Sequence, residues 1–285
     1  MSKSTGNAIT DRLNARFEFA DLICSAMKRQ VSVALLEVGP DDRSYVGISG
    51  WAGDYPERPA KSPFKSPFLA SAKALELYWR GNRGELTLTP IVELAKLSTG
   101  FMGGARLEQS IVGVSHWEQQ HDLLLALIVL YSFEYETRLH HIGWRMESEE
   151  AWQRACDHEA EQGFRGANLP ASDHQRMYFW HPDPRSPNGG YHVEYQLFQE
   201  NHVPAVHIDV AVGDPERFLR FMARGLSITQ GMKLDIWEDE APNPYGVAWA
   251  IGDDQSQMGV MARERWDYFV PDTTPKAKRI VLTAP

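Results

Sequence analysis

The stretch 141-HIGWRMESEEAWQRACDHEAEQGF-164 passes from the alternating pattern of a strand to the pattern of an amphipathic helix. Ser148 precedes the helical segment and Gly163 follows it, which is typical of a helix start and a helix end. The stretch 207-HIDVAVGDPERFLRFMARGL-226 repeats this order, with an aspartate before its helix and a glycine after it. A repeat with a period of roughly 65 residues predicts duplicated supersecondary units.

Strand patterns follow each of the two predicted helices. After the first helix they are 175-QRMYFWH-181 and 191-YHVEYQLF-198, and after the second they are 232-MKLDIWE-238, 246-GVAWAI-251 and 258-MGVMARE-264. Residues 111–285 are therefore predicted to form paired βαβββ-like modules, at about 111–200 and 203–285, with a mixed, mainly antiparallel sheet.

Residues 1–110 are predicted to form a helix-rich part that contains one hairpin. The runs 31-VSVALLEV-38 and 45-YVGISGW-51 are short strand patterns separated by the turn sequence GPDDRS. No motif in this part indicates a chemical role. With the modules that follow, the sequence predicts an α+β protein.

Charge and composition favour a small-molecule ligand or a basic protein partner over nucleic acid or a membrane. The chain has 29 Lys and Arg against 38 Asp and Glu, a formal charge of -9, and no basic cluster. Its longest apolar run, Leu123 to Tyr131, is too short to span a bilayer. Cys24 and Cys156 form neither a disulfide framework nor a zinc motif, which predicts a reducing compartment and a cytoplasmic protein.

All ten histidines lie between His116 and His207, which can mark a site with proton-transfer needs. Two of them are adjacent in 138-RLHHIGWRM-146. On a regular strand His140 and His141 would point to opposite faces, so at most one would face a given cavity.

The repeat resembles the vicinal-oxygen-chelate superfamily, whose members pair βαβββ modules around a divalent metal. Residues 116–198 are most similar to the catalytic part of type I extradiol ring-cleavage dioxygenases. The similarity lies in 121-HDLLLAL-127 as a histidine-initiated strand, the His-His strand, and 187-PNGGYHVEY-195. The chain departs from that family because no histidine precedes His116, so the first ligand of the family is absent.

A pseudo-twofold relation between the modules would let His207 replace that ligand beside His141 and Glu194. Two imidazoles and one carboxylate leave open coordination positions and suit Fe(II), with Mn or Zn as alternatives. The resemblance implies cleavage of a catechol-type ring. It also implies that His121 is an acid/base group, and His174 (or His181) is a second candidate for moving protons.

Plainer interpretations of the same residues stay open. Glu194 could lie on the wet face of its strand, and His207, Asp209 and Ala211 could face solvent. The acidic segment 238-EDE-240 fits a different class, a stoichiometric immunity-like or antitoxin-like protein that blocks a basic partner. A third hypothesis keeps the fold but replaces redox chemistry with isomerisation or ligand binding. The substrate, the oligomeric state and the role of residues 1–110 are left open.

Overall fold

The computed structural model describes residues 3–41, 43–53, 65–82, 103–117, 119–184, 189–200, 204–214, 217–218, 220–222, 225, 235–238, 245–251, 257–263 and 278–281. The chain divides into two compact units. The first unit is Met1–Glu136 with Arg220–Met232, and the second is Thr137–Leu219 with Lys233–Pro285.

The first unit contains a four-stranded antiparallel sheet with the strand order β2-β1-β4-β3. Its elements are α1 (Lys3–Ala26), β1 (Val31–Val38), β2 (Tyr45–Ala52), α2 (Lys65–Asn82), β3 (Gly104–Leu107), β4 (Ser110–Ser115) and α3 (Gln119–Glu134). The predicted hairpin is confirmed, because β1 and β2 pair antiparallel along their whole length. The predicted boundary between residues 110 and 111 lies within β4, inside this unit.

Helices cover both faces of this sheet, so β1 is buried along its entire length. Ala34 and Leu36 pack with Ala70 and Leu77 of α2 on one face. On the opposite face, a Cβ added to Gly50 would lie 3.1 Å from the ring of Phe17 in α1. Burial on both faces explains why β1 is a continuous apolar run without polar alternation.

A buried ion pair joins α2 to α3. The Lys73 side chain is 1% exposed, and its ammonium lies 3.4 Å from Asp122 Oδ2 and donates to the carbonyl of Val114. Burial lowers the pKa of Lys73, and the Asp122 carboxylate opposes that shift. Asp122 Oδ1 also accepts from the backbone N–H of Trp117. With its polar atoms satisfied in this way, the pair has the form of a structural clamp.

The expectation of a strand at residues 121–127 is wrong, because these residues lie within helix α3. Residues 123–130 have no exposed surface. A run buried on all sides has no polar positions to show a period, so the pattern could not separate a helix from a strand. Among the described residues, no helix is both long enough and apolar enough to cross a membrane.

The second unit contains a seven-stranded mixed sheet with the strand order β11-β12-β9-β5-β8-β7-β6. Its elements are β5 (Thr137–Arg145), α4 (Glu149–Glu161), β6 (Gly166–Asn168), β7 (His174–Pro182), β8 (Gly190–Phe198), β9 (Ala205–Val212), β10 (Asp235–Glu238), β11 (Tyr245–Ile251), β12 (Gln257–Arg263) and β13 (Lys278–Val281). Strands β10 and β13 form a separate pair. The predicted α+β class, with a mixed sheet, is confirmed.

The sheet is symmetric in its pairing about the contact between β5 and β9. These two strands are antiparallel, β5 is parallel to β8, and β9 is parallel to β12. The first strand of each module therefore lies at the centre, side by side with the first strand of the other. Residues on β5, β8 and β9 are brought together by this arrangement.

Helix α4 identifies which face of β8 packs against a helix. Ser148 caps α4 by accepting from the N–H of Ala151, as its sequence predicts. Trp152 donates to the carbonyl of Tyr195, and the Tyr195 hydroxyl donates to Glu159 Oε1 at 2.5 Å. Glu159 Oε2 lies 2.9 Å from His181 Nε2. Because neighbouring residues of a strand alternate, Glu194 points away from α4.

Phenylalanine in place of Tyr195 is expected to destabilise the protein by about 1.5–3 kcal/mol, because Glu159 is buried and loses a charge-assisted hydrogen bond. Urea unfolding measures the change. Tyr45→Phe is the matched control, since Tyr45 is 44% exposed, and its effect should stay within about 0.5 kcal/mol. Equal effects of the two substitutions would contradict a stabilising role for the hydrogen bond between Tyr195 and Glu159.

Candidate metal centre

One face of the central sheet collects ionisable side chains from three strands. His141 of β5 pairs with His192 of β8 and with Asp209 of β9. Gly143 pairs with Glu194 and with His207 in the same way. Since residues paired across strands share a face, all these side chains lie on the side opposite to α4.

His141, Glu194 and His207 form the core of this group. One nitrogen or oxygen atom from each of them lies within 4.8 Å of the others. His141 Nε2 is 3.2 Å from Glu194 Oε2, and the rings of His141 and His207 are 5.2 Å apart. His141 and Glu194 are buried, and His207 is half-buried. Ligand atoms with metal bonds of about 2.1 Å lie at most about 4.2 Å apart, so small side-chain adjustments would close the set around an ion.

A β-bulge in β5 changes the orientation expected for the two adjacent histidines. Leu139 pairs with Val210 and His141 with Asp209, so His140 is an extra residue on its strand. The bulge removes the regular alternation, and the ring of His140 lies 6.5 Å from that of His192 on the site face. The prediction that only one of the pair could lie near the site is therefore wrong. The sequence contains no residue that marks this bulge.

Gly143 makes room for the imidazole of His207. A Cβ at position 143 would lie 2.0 Å from Cε1 and 2.2 Å from Nε2 of His207. Real atoms do not approach so closely, so any side chain would displace the ring. A glycine inside a strand pattern indicates that another group packs closely against the backbone at that position. Gly143 is therefore the sequence signal that could have indicated the packing of the His207 ring.

Two carboxylates flank the His141 ring and control its charge. Asp209 Oδ2 lies 3.5 Å from Nδ1, and Glu194 lies beside Nε2. Burial disfavours the imidazolium, but these hydrogen bonds and charges outweigh it and raise the pKa of His141 to about 9. Burial also works against ionised Glu194, yet His141 holds the pKa of that carboxyl down, at about 2. A metal bound here replaces the proton on His141.

Two further imidazoles of this face, those of His207 and His192, have lowered pKa values. Burial, followed by the charge of His141, lowers the pKa of His207 to about 4. The same causes lower the pKa of His192 to about 4. Neutral imidazole is the form that binds metals. Asp209 is 1% exposed, so the interpretation that placed it toward solvent is wrong, because the sheet buries this face at the module contact.

The residues predicted to move protons lie in α3 and β7. His121 is in α3 of the first unit, where its ring packs at 4.6 Å against Trp117. His174 begins β7, close to Asp173 and stacked on Phe198. Phe198 is four residues from Glu194, about 13 Å along the strand. His181 contacts Glu159 on the α4 side of the sheet.

Three solved structures show partial similarity to this chain. A 4-hydroxymandelate synthase variant from Streptomyces coelicolor has a TM-score of 0.30 and 10% identity over 47% of this chain and 50% of its own. A halotolerant catechol dioxygenase has a TM-score of 0.29 and 7% identity over 44% and 39%. A methylmalonyl-CoA epimerase variant from S. coelicolor has a TM-score of 0.29 and 11% identity over 44% and 93%.

These three neighbours are enzymes of the vicinal-oxygen-chelate fold. Similarity at this level does not assign the chain to their family. No protein-family model matches the chain, and no curated protein matches it. The acidic segment 238-EDE-240, on which the binding-protein hypothesis depends, extends outside the described residues.

Proposed function

We propose that this protein is a metal-dependent enzyme that acts on a small oxygenated substrate, with extradiol-type cleavage of a catechol-type ring as its specific form. His141, Glu194 and His207 are the metal ligands. The observation that carries the proposal is the convergence of these side chains at the contact between β5, β8 and β9. Their distances and burial fit an ion better than a solvated strand face.

The donor set indicates which ions fit. When bound, an ion held by two imidazoles and one carboxylate offers open coordination positions to a substrate with two neighbouring oxygens, and Fe(II) suits this set, with Mn or Zn as alternatives. Asp209 holds Nδ1 of His141, which directs Nε2 toward the metal position. Tyr178 hydrogen-bonds to Glu194 and stacks on His141, with 6.1 Å between the ring centroids, so both ligands are oriented.

Elemental analysis of protein purified without chelator or nickel resin tests the metal centre. We expect near-stoichiometric iron, manganese or zinc, or stoichiometric uptake of Fe(II) added under anaerobic conditions. Oxygen consumption with catechol, accompanied by a coloured ring-cleavage product, tests the specific chemistry. A folded protein that takes up no divalent metal would contradict the proposal as a whole. Metal binding without oxygen consumption across a panel of catechols would contradict only the dioxygenase form.

Asparagine in place of Asp209 is expected to weaken metal binding by about 10–100-fold, because the neutral amide holds the Nδ1 proton of His141 less strongly. Competition with a fluorescent zinc chelator measures the affinity. Asp173→Asn is the matched control, since Asp173 contacts His174 in the same way but on an exposed part of the sheet. Similar affinities for the two variants would show that Asp209 does not orient the ligand.

A further inference from the structure

Arg145 lies on the same sheet face as the metal centre. It pairs with Gln196 of β8 and Ala205 of β9, while Gly143, two residues earlier, pairs with Glu194 and His207. Same-face residues of a strand are about 6.6 Å apart along the chain. A small molecule that extends from the metal ligands toward Phe198 would come within reach of the Arg145 side chain.

Arg145 has no counter-ion among the described residues. The side chain is half-buried, and its Nε is buried and donates to no acceptor in the described part of the chain. The guanidinium carbon lies over the Phe198 ring, 4.8 Å from the ring centre. No described carboxylate lies within 4.0 Å of it. Burial lowers the pKa of Arg145, although a guanidinium stays charged in proteins.

The arrangement differs from that of the neighbouring arginine. Arg176 pairs with Gln196 from the other side, and its guanidinium donates to the carbonyl of Leu169 and to the Tyr178 hydroxyl. Arg176 thus has a structural role in β7. Arg145 has no such partners among the described residues, and an anion bound beside it would supply one.

A carboxylate is the anion that fits this position. The planar fork of a guanidinium matches the two oxygens of a carboxylate and can donate to both of them. A phosphate dianion would bring twice the charge close to Glu194 and Asp209, which are both buried on the same face. Gln196 adds a polar side chain beside Arg145.

We propose that the substrate of this centre carries a carboxylate group, and that Arg145 binds it while the two neighbouring oxygens of the substrate face the metal ligands. This inference rests on the function proposed above and makes it narrower. The substrate class becomes acidic dihydroxy-aromatic compounds rather than neutral catechols.

Equilibrium binding to the zinc-loaded protein tests the inference without turnover. The probes are catechol and three acidic relatives, 2,3-dihydroxybenzoate, 3,4-dihydroxybenzoate and 3,4-dihydroxyphenylacetate, which place the carboxylate at different distances from the diol. We expect at least one acid to bind about 10-fold or more tightly than catechol, the gain of one charge-assisted contact. In Arg145→Met, which keeps an unbranched apolar chain but removes the guanidinium, this preference should fall to within about 2-fold.

Arg154→Met is the control, because Arg154 is an exposed residue of α4 paired with Glu150. This variant should keep the preference for the acid. The inference is overturned if no acid binds more tightly than catechol, or if Arg145→Met keeps the preference. Zinc stoichiometry, measured in each variant, distinguishes failure of this inference from failure of the proposed function. Loss of the preference with zinc and catechol binding intact supports the role of Arg145, whereas wild-type protein that binds neither zinc nor catechol overturns the proposed function itself.

Discussion

Alanine in place of His207 is expected to lower the affinity for divalent metal by more than about 100-fold. This loss is larger than the roughly 10–100-fold expected when a metal ligand loses only its hydrogen-bond partner. Only His141 and Glu194 would remain, and these two groups form a salt bridge with each other when no metal is present. The expected product is a folded protein with a closed His–Glu pair. Elemental analysis and zinc competition measure the loss.

His174→Ala is the matched control for this experiment. His174 is also a histidine of the same sheet with a carboxylate partner, but it lies at the start of β7 beside Phe198. It should leave the metal content unchanged. If His207→Ala retained the affinity of the wild-type protein while His174→Ala lost it, the ligand assignment would be wrong.

The three proposed ligands could be identified from sequence because of the module repeat. His141 and His207 occupy equivalent positions near the start of strand patterns, and Glu194 lies on a strand that pairs with β5. A repeated βαβββ unit with paired first strands brings such positions together, independently of the lengths and conformations of the loops. Pattern alone left the face of Glu194 undecided, because both faces of β8 contain apolar residues. Packing of α4 on Tyr195 decides it.

Other parts of the site depend on contacts that a sequence does not show. The bulge at His140 follows from the mismatch in register between β5 and β9, a tertiary property. The strand pattern allows Asp209 to face solvent beside His207, whereas the sheet buries it against His141. The resemblance implies a strand at residues 121–127, but these residues lie in helix α3, and their complete burial leaves no period that would have indicated a helix.

The proposed substrate-binding residue, Arg145, could not be selected from the sequence either. In sequence it is one arginine at the end of a strand, with nothing to distinguish it from Arg138 at the start. The pairing with Gln196 and Ala205 places it on the sheet face of the metal ligands, and its guanidinium lies over the Phe198 ring. These neighbours come together only once the strands have paired.

Alanine in place of Gly143 is expected to abolish metal binding and to destabilise the protein by about 1–3 kcal/mol, the usual cost of overpacking. The added Cβ would occupy the space of the His207 imidazole, at 2.0 Å from Cε1. The backbone of β5 cannot retreat easily, because it pairs with both β8 and β9. The ring must therefore rotate away from His141 and Glu194. Zinc competition and urea unfolding measure the two effects.

A double variant separates steric displacement from a general effect on the strand. Gly143→Ala/His207→Ala removes the ring that the new methyl group displaces, so most of the stability lost in the single variant should return, while metal binding stays lost. Gly213→Ala is the control, since a Cβ at Gly213 meets nothing within 4 Å. Wild-type metal affinity in Gly143→Ala would show that the imidazole has another position from which it binds the ion. No recovery of stability in the double variant would show that the cost arises in β5 itself.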